Sequence, residues 1–207
     1  MRSFLSNKET STSQKRILSN LVIKREWSKL QKIVSYENSL AKDSVSSIST
    51  KCCQSQDLFL LACGSNPPTD IFDSLLKMFP SAVYKPNCDG KLPLHVACEF
   101  GASPAIIQKL LKANKNAVLQ QDKFGMLPIH IACRCYYENT SPWIPEDIQA
   151  YNALRQIITD LLEAGPTTIL EVDCNKKCPI EYAIESDTHI EIINGLRDFS
   201  KNLQSHL

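Results

Sequence analysis

The chain has 207 residues, of which 43% are hydrophobic and 22% charged, a composition that supports a folded core and excludes a disordered tail. Lys and Arg number 23 against 22 Asp and Glu, so the net charge of +1 excludes a general attraction to nucleic acid or anionic membrane. No stretch nears the roughly 18 consecutive apolar residues of a membrane span, and the opening MRSFLSNKETSTSQKR has no export-signal core. Nine cysteines, an odd number without a tight disulfide framework, predict a reducing intracellular compartment, cytoplasmic or nuclear, with an organelle left open.

Taken in chain order, residues 1–16 read as a leader that is either flexible or docks only on a partner. Residues 1–56 carry ten basic and four acidic side chains, and the remainder thirteen and eighteen, so a basic start precedes a mildly acidic body. That start either orients a partner or solvates a helix. No aromatic residues interleave with the basic ones as a base-stacking surface would need. From Ser19 through Ala41, the residues Leu21, Ile23, Trp27, Leu30, Ile33 and Val34 predict one helix with a single apolar stripe, an amino-terminal cap or half repeat in which Trp27 is a core residue. The serine-rich DSVSSISTKCCQSQ that follows, to residue 56, reads as a loop.

The body repeats itself. KLPLHVAC at Lys91–Cys98 returns as MLPIHIAC at Met126–Cys133, 35 residues later. Gly90, Pro93, His95, Ala97 and Cys98 correspond to Gly125, Pro128, His130, Ala132 and Cys133. Ile106, Ile107, Leu110 and Leu111 find Ile157, Ile158, Leu161 and Leu162 after 51 positions, because 16 residues intervene. A third unit is hidden in LFLLACGS, where Leu60, Ala62, Cys63, Ile71, Phe72, Leu75 and Leu76 precede their counterparts by 35. A degenerate fourth lies in NKKCPIEYAI, with Pro179, Glu181 and Ala183 replacing Pro128, His130 and Ala132. Copies at this spacing predict an all-α solenoid of stacked helix pairs, each burying its apolar face on the next, over residues 57–202 with a tail at 203–207. Within a unit, proline opens a short apolar helix, Ser103–Pro104 caps and starts the second, and Asn87–Gly90 and Asp122–Gly125 form turn tips whose glycines supply positive φ.

Gly90 to Cys98 and Gly125 to Cys133 resemble the ankyrin repeat, with leucine replacing the usual threonine before each proline. The 35-residue period is similar to the longer form seen in diatoms and other unicellular algae, its extra residues falling at Gly101–Ala105. The resemblance implies about four repeats with an amino-terminal capping helix, protein recognition through turn tips and inner helices, and no catalytic centre. It also implies that Pro93, His95, Ala97, Pro128, His130 and Ala132 are structural, with each histidine tying its turn to the neighbouring unit. Partner contact is then expected from Asp89, Lys91, Glu99, Phe100, Lys123, Phe124, Met126 and Arg134.

Between Ala132 and Ile157 the insertion YYENTSPWIPEDIQAYNAL interrupts the period around residues 134–151. Its Trp143 and tyrosines either anchor a partner or cover a helix extension of their own unit. At the far end, HIEIINGLRDFSKNLQ predicts a closing helix with Ile190, Ile193, Leu196 and Phe199 turned inward.

Cys63, Cys98 and Cys133 share one repeat position and predict a buried, small-residue row. The pairs Cys52–Cys53, Cys133–Cys135 and Cys174–Cys178 do not reproduce the spacing of a structural zinc site, so no metal is expected. No phosphate loop, dinucleotide fingerprint or H-E-x-x-H sequence occurs, His189 and His206 stand outside any motif, and neither a cofactor nor an enzymatic activity is expected. The reading is an adaptor that binds a protein partner, in a hetero-complex rather than a homo-oligomer, without nucleic acid or membrane insertion. The alternative is a permanent subunit of a larger assembly, held by the leader and Trp143.

Overall fold

Proline opens four of the helices, at Pro93, Pro104, Pro128 and Pro179, where its missing N–H has no intrahelical partner to lose. The residue ahead of it is held extended, as at Leu92 with φ −73° and ψ 164°, so each unit turns sharply into its first helix. In the computed structural model, residues 17–40, 54–134 and 148–205 are described. They form helices α1 (17–23), α2 (Trp27–Leu40), α3 (Gln54–Ser65), α4 (Thr69–Met78), α5 (Pro93–Glu99), α6 (Pro104–Ala113), α7 (Pro128–Arg134), α8 (Ile148–Ala164), α9 (Pro179–Glu185) and α10 (Ile190–Gln204). Short 3-10 turns at Ala82–Tyr84, Lys115–Leu119 and Pro166–Ile169 follow the outer helices α4, α6 and α8. No strand occurs among the described residues, and the molecule is an all-α solenoid of stacked helix pairs.

The inner helices α3, α5, α7 and α9 pack side by side in that order, and the outer helices α4, α6 and α8 form a second layer. Every residue from Pro93 to Cys98 is buried, as is every residue from Pro128 to Cys133. A seven-residue helix does not persist alone in water, so α5 and α7 exist because neighbours cover them on both sides. Ala62, Ala97, Ala132 and Ala183 lie at their shared position with exposures from 0 to 4%, which lets these helices approach closely. The outer helices bury one aliphatic stripe each: Ile106, Ile107 and Leu110 in α6, and Ile157, Ile158, Leu161 and Leu162 in α8. Each such side chain stabilises the stack by about 1.5–3 kcal/mol on burial.

The amino-terminal cap is a helix pair rather than one helix. Helix α1 ends in a Schellman arrangement, with Glu26 N–H donating to Leu21 O at 2.9 Å and Arg25 N–H to Val22 O at 3.0 Å while Arg25 takes φ +52°. The break turns the apolar stripe, so that Val22 and Leu30 are fully buried and Ile23 is exposed; Trp27 is half-buried against the core. Helix α2 packs on α4.

At the other end α10 runs through Gln204, into the span expected to be a tail. It turns Ile192, Ile193 and Leu196 inward and leaves Ile190 58% exposed, because Ile190 stands at the helix start, just after His189 accepts from Glu191 N–H. Ser103 occupies its cap position without a side-chain cap bond; its own N–H donates instead to Asn66 Oδ1 at 3.0 Å, joining two units. The leader, the serine-rich loop apart from the start of α3, and residues 135–147 of the insertion, Trp143 among them, lie outside the described residues, while the end of the insertion from Ile148 forms the start of α8 and places Tyr151 Oη 2.7 Å from Glu191 Oε2, to which it donates. No helix among the described residues is long and apolar enough to cross a membrane.

A Cβ built at Gly195 in α10 meets nothing within 4 Å. Gly195→Ala is therefore expected to stabilise the chain by about 0.5–1 kcal/mol, through lower unfolded-state entropy and better helix propensity. Denaturant midpoints measure it, and a loss of stability would mean that the space there is not open.

Candidate partner-binding surface

Each turn tip is built around one side-chain oxygen. Asn87 Oδ1 accepts from the N–H groups of Asp89 and Lys91, both at 2.9 Å. Asp122 Oδ1 accepts from Phe124 and Met126 at 2.8 and 2.9 Å, and Asp173 Oδ1 from Asn175 and Lys177 at 2.8 and 3.0 Å. In each tip the same residue's N–H donates across the turn, to the carbonyls of Lys91, Met126 and Lys177. Gly90, Gly125 and Lys176 share the next position with φ +78°, +74° and +61°. The tips are laddered: Lys123 N–H donates to Asp89 O at 2.9 Å and Cys174 N–H to Phe124 O at 3.0 Å. The result is a row of fingers whose backbones are fixed before any partner arrives.

The two histidines anchor the fingers to the helices. His95 Nδ1 accepts from Leu92 N–H at 3.1 Å, while its Nε2 lies 3.0 Å from Gln120 O, just ahead of the next finger. His130 repeats this with Leu127 N–H at 3.1 Å and Glu171 O at 3.1 Å. Because Nδ1 accepts from a backbone N–H, Nε2 carries the proton and donates, so both rings are neutral Nε2–H tautomers. Burial holds both histidines below their ordinary pKa, against the opposing pull of Asp122 on His95 and of the Glu171 carbonyl and Asp173 on His130. In the fourth unit Glu181 Oε2 accepts from Cys178 N–H at 2.6 Å, keeping the cap bond and dropping the link to a following unit.

This repeated finger, anchored by a Pro-Leu-His or Pro-Ile-His turn onto an inner helix, is a family signature. The model for ankyrin repeats, in three copies, matches residues 58–144. Over those residues the chain carries ankyrin repeats. No curated protein matches it. An ankyrin scaffold has no catalytic centre of its own, and among the described residues no group of three or more His, Cys, Asp or Glu is placed to hold a metal ion.

On these ankyrin units the expected contact residues divide. Asp89 and Lys123 are exposed on the fingers, and Phe100 and Phe124 are 56% and 57% exposed, a large apolar area left open to solvent although the Phe100 ring rests on Gly64 of α3. Lys91 and Glu99 are half-buried in an ion pair of 2.6 Å. Met126 was expected on the surface and is only 2% exposed. It has no charge to keep in water, and Arg134 Nη1 donates to its Sδ at 3.3 Å, laying the guanidinium against it. Trp143 lies outside the described residues.

The sequence reading passed over two ties. Tyr182 Oη donates to Asp173 Oδ2 at 2.5 Å, and with the Lys177 and Asn175 N–H groups it holds that carboxyl below the usual range although burial works the other way. Asp122 has no such tyrosine, and its Oδ2 is buried without a hydrogen-bond partner. The second tie pairs residues eight apart, Lys91 with Glu99 and Lys177 with Glu185, and its signal was the matching charges at matched repeat positions. The six cysteines among the described residues are free thiols. Cys63, Cys98 and Cys133 are buried as expected, and burial pushes the Cys133 thiol up to about 12, so this row packs rather than reacts.

Proposed function

We propose that the chain is a non-enzymatic adaptor that binds a protein partner through its fingers and inner helices. The observation that carries the reading is the exposure of Phe100 and Phe124 on a finger-and-helix frame that is rigid without a partner. Aromatic side chains held on a preorganised surface lose little entropy on binding, which suits them as anchors. Asp89 and Lys123 beside them set charge preference at the rim. The partner is a different protein, in a hetero-complex. The free thiols among the described residues favour a reducing compartment, cytoplasm or nucleus, and the 35-residue spacing resembles the longer form of the repeat seen in unicellular algae.

The test compares the full chain with a Phe100→Ser, Phe124→Ser variant, both recovered from the protein's own cells under gentle lysis with co-purifying chains identified by mass. The variant is expected to keep its circular dichroism and to melt within a few degrees of wild type, since more than half of each side chain is exposed, and to lose the wild-type partner. Retention of the same partner by a folded variant would sink the surface assignment. A stoichiometric complex that survives high salt and ignores both substitutions would favour the permanent-subunit reading.

A further inference from the structure

Three pairs of residues occupy equivalent places in successive units: Lys91 with Glu99, Met126 with Arg134, and Lys177 with Glu185. In the flanking units lysine at the finger base reaches glutamate at the end of the inner helix, at 2.6 and 2.5 Å. In the central unit both partners are exchanged. Methionine replaces the cation, and arginine replaces the anion.

Among the described residues the exchange leaves a charge without a counter-charge. Arg134 is half-buried, and among the described residues its side chain donates one hydrogen bond, to the Met126 thioether at 3.3 Å, a weak acceptor for a group with five donors. Among the described residues no carboxylate lies within ion-pair distance of it, and the acids at the matching places on α5 and α9, Glu99 and Glu185, are each engaged by their own lysine. A partly desolvated guanidinium gains most from a planar acceptor that takes two of its N–H groups together. That acceptor is a carboxylate.

Building on the adaptor reading, we infer that Arg134 receives an aspartate or glutamate side chain of the partner. The central unit thus selects an acidic segment, while the paired charges of the flanking units repel none of it and attract little. The inner-helix end is where charge selects, and Phe124 on the finger is where apolar surface is covered.

A displayed library of random short peptides, panned on the full-length chain, tests this directly. Wild type is expected to enrich peptides with an Asp or Glu at one fixed place. A Met126→Lys, Arg134→Glu double variant, which installs the ion pair that the flanking units already use, is expected to keep the wild-type melting temperature and to bind those peptides about tenfold more weakly or worse. Arg134→Glu alone is expected to enrich Lys or Arg at the same place. Peptides whose affinity falls with Phe124→Ser but ignores both Arg134 variants would overturn the inference and leave the adaptor reading standing. Peptides that ignore Phe124→Ser as well would overturn both. A wild-type pool without acidic enrichment, or one that yields no binder, overturns the inference too.

Discussion

Replacing His130 with alanine is expected to cost about 3–5 kcal/mol, the sum of a buried Leu127 N–H left unpaired, a lost bond to Glu171 O, and the cavity left by a ring that is fully buried. His95→Ala removes the same pair of bonds, to Leu92 N–H and Gln120 O, and should cost a similar amount. The two differ in where the damage falls. Stability in a stacked array is a sum of unit and interface terms. His95 joins the second unit to the third, in the middle of the stack, whereas His130 joins the third to the degenerate fourth. His130→Ala should therefore free the last unit first, seen as early loss of amide-exchange protection in α9 and α10 while α5 and α6 stay protected. Uniform loss across the array would contradict this.

The same histidines set an acid limit. Their folded pKa values are held below the ordinary value, so the unfolded chain takes up protons first as pH falls. The stability they contribute is complete above the unfolded value of about 6.5 and is lost as pH drops from there through the folded values, at up to about 1.4 kcal/mol per pH unit for each ring. Asp173 acts in a separate window, since its lowered carboxyl pKa costs stability only below about 3.9. Denaturant midpoints at pH 7.5, 6.5 and 5.5 should fall in wild type and flatten in a His95→Gln, His130→Gln variant. An unchanged acid slope in that variant would assign the effect to other groups.

The parts of the fold that were legible are those where one residue has one geometric task. Pro93 and Pro128 start a helix, Gly90 and Gly125 take positive φ, and the histidines of the Pro-Leu-His and Pro-Ile-His turns each have two bonds to make, so a 35-residue echo was enough to place them. Where the chain turns without such a residue, reading failed. The break after α1 falls at Lys24-Arg25-Glu26, with no glycine or proline, because Arg25 itself adopts φ +52°. The closing helix was read with Ile190 inward, since a stripe of Ile190, Ile193 and Leu196 satisfies helical spacing as well as Ile192, Ile193 and Leu196 does. At the surface, exposure of Phe100 and Phe124 follows from their repeat positions, while burial of Met126 depends on Arg134, eight residues away, lying over it. Such cross-helix coverage has no local signature.

Gly125→Ala is the second large effect, and it probes the coupling of fingers. At φ +74° an alanine meets the left-handed penalty of about 1–2 kcal/mol. The added Cβ also stands 2.9 Å from Cys174 N, closer than carbon is tolerated, and 3.1 Å from its Sγ, a tight contact that a small shift relieves. That backbone nitrogen is the donor of the rung to Phe124 O at 3.0 Å, so the third and fourth fingers must part for the methyl to fit. The combined loss is expected at about 3 kcal/mol, near 6–12 °C in melting temperature for a chain of this size. Gly90→Ala, with its nearest atom Lys123 N at 3.1 Å, should cost less. Because the sulfur can be removed and the backbone cannot, adding Cys174→Ala to Gly125→Ala should recover only a minor part of the loss. Full recovery would mean that the side chain alone sets the limit, and a Gly125→Ala variant as stable as wild type would mean that the finger ladder contributes nothing to holding the fourth unit in place.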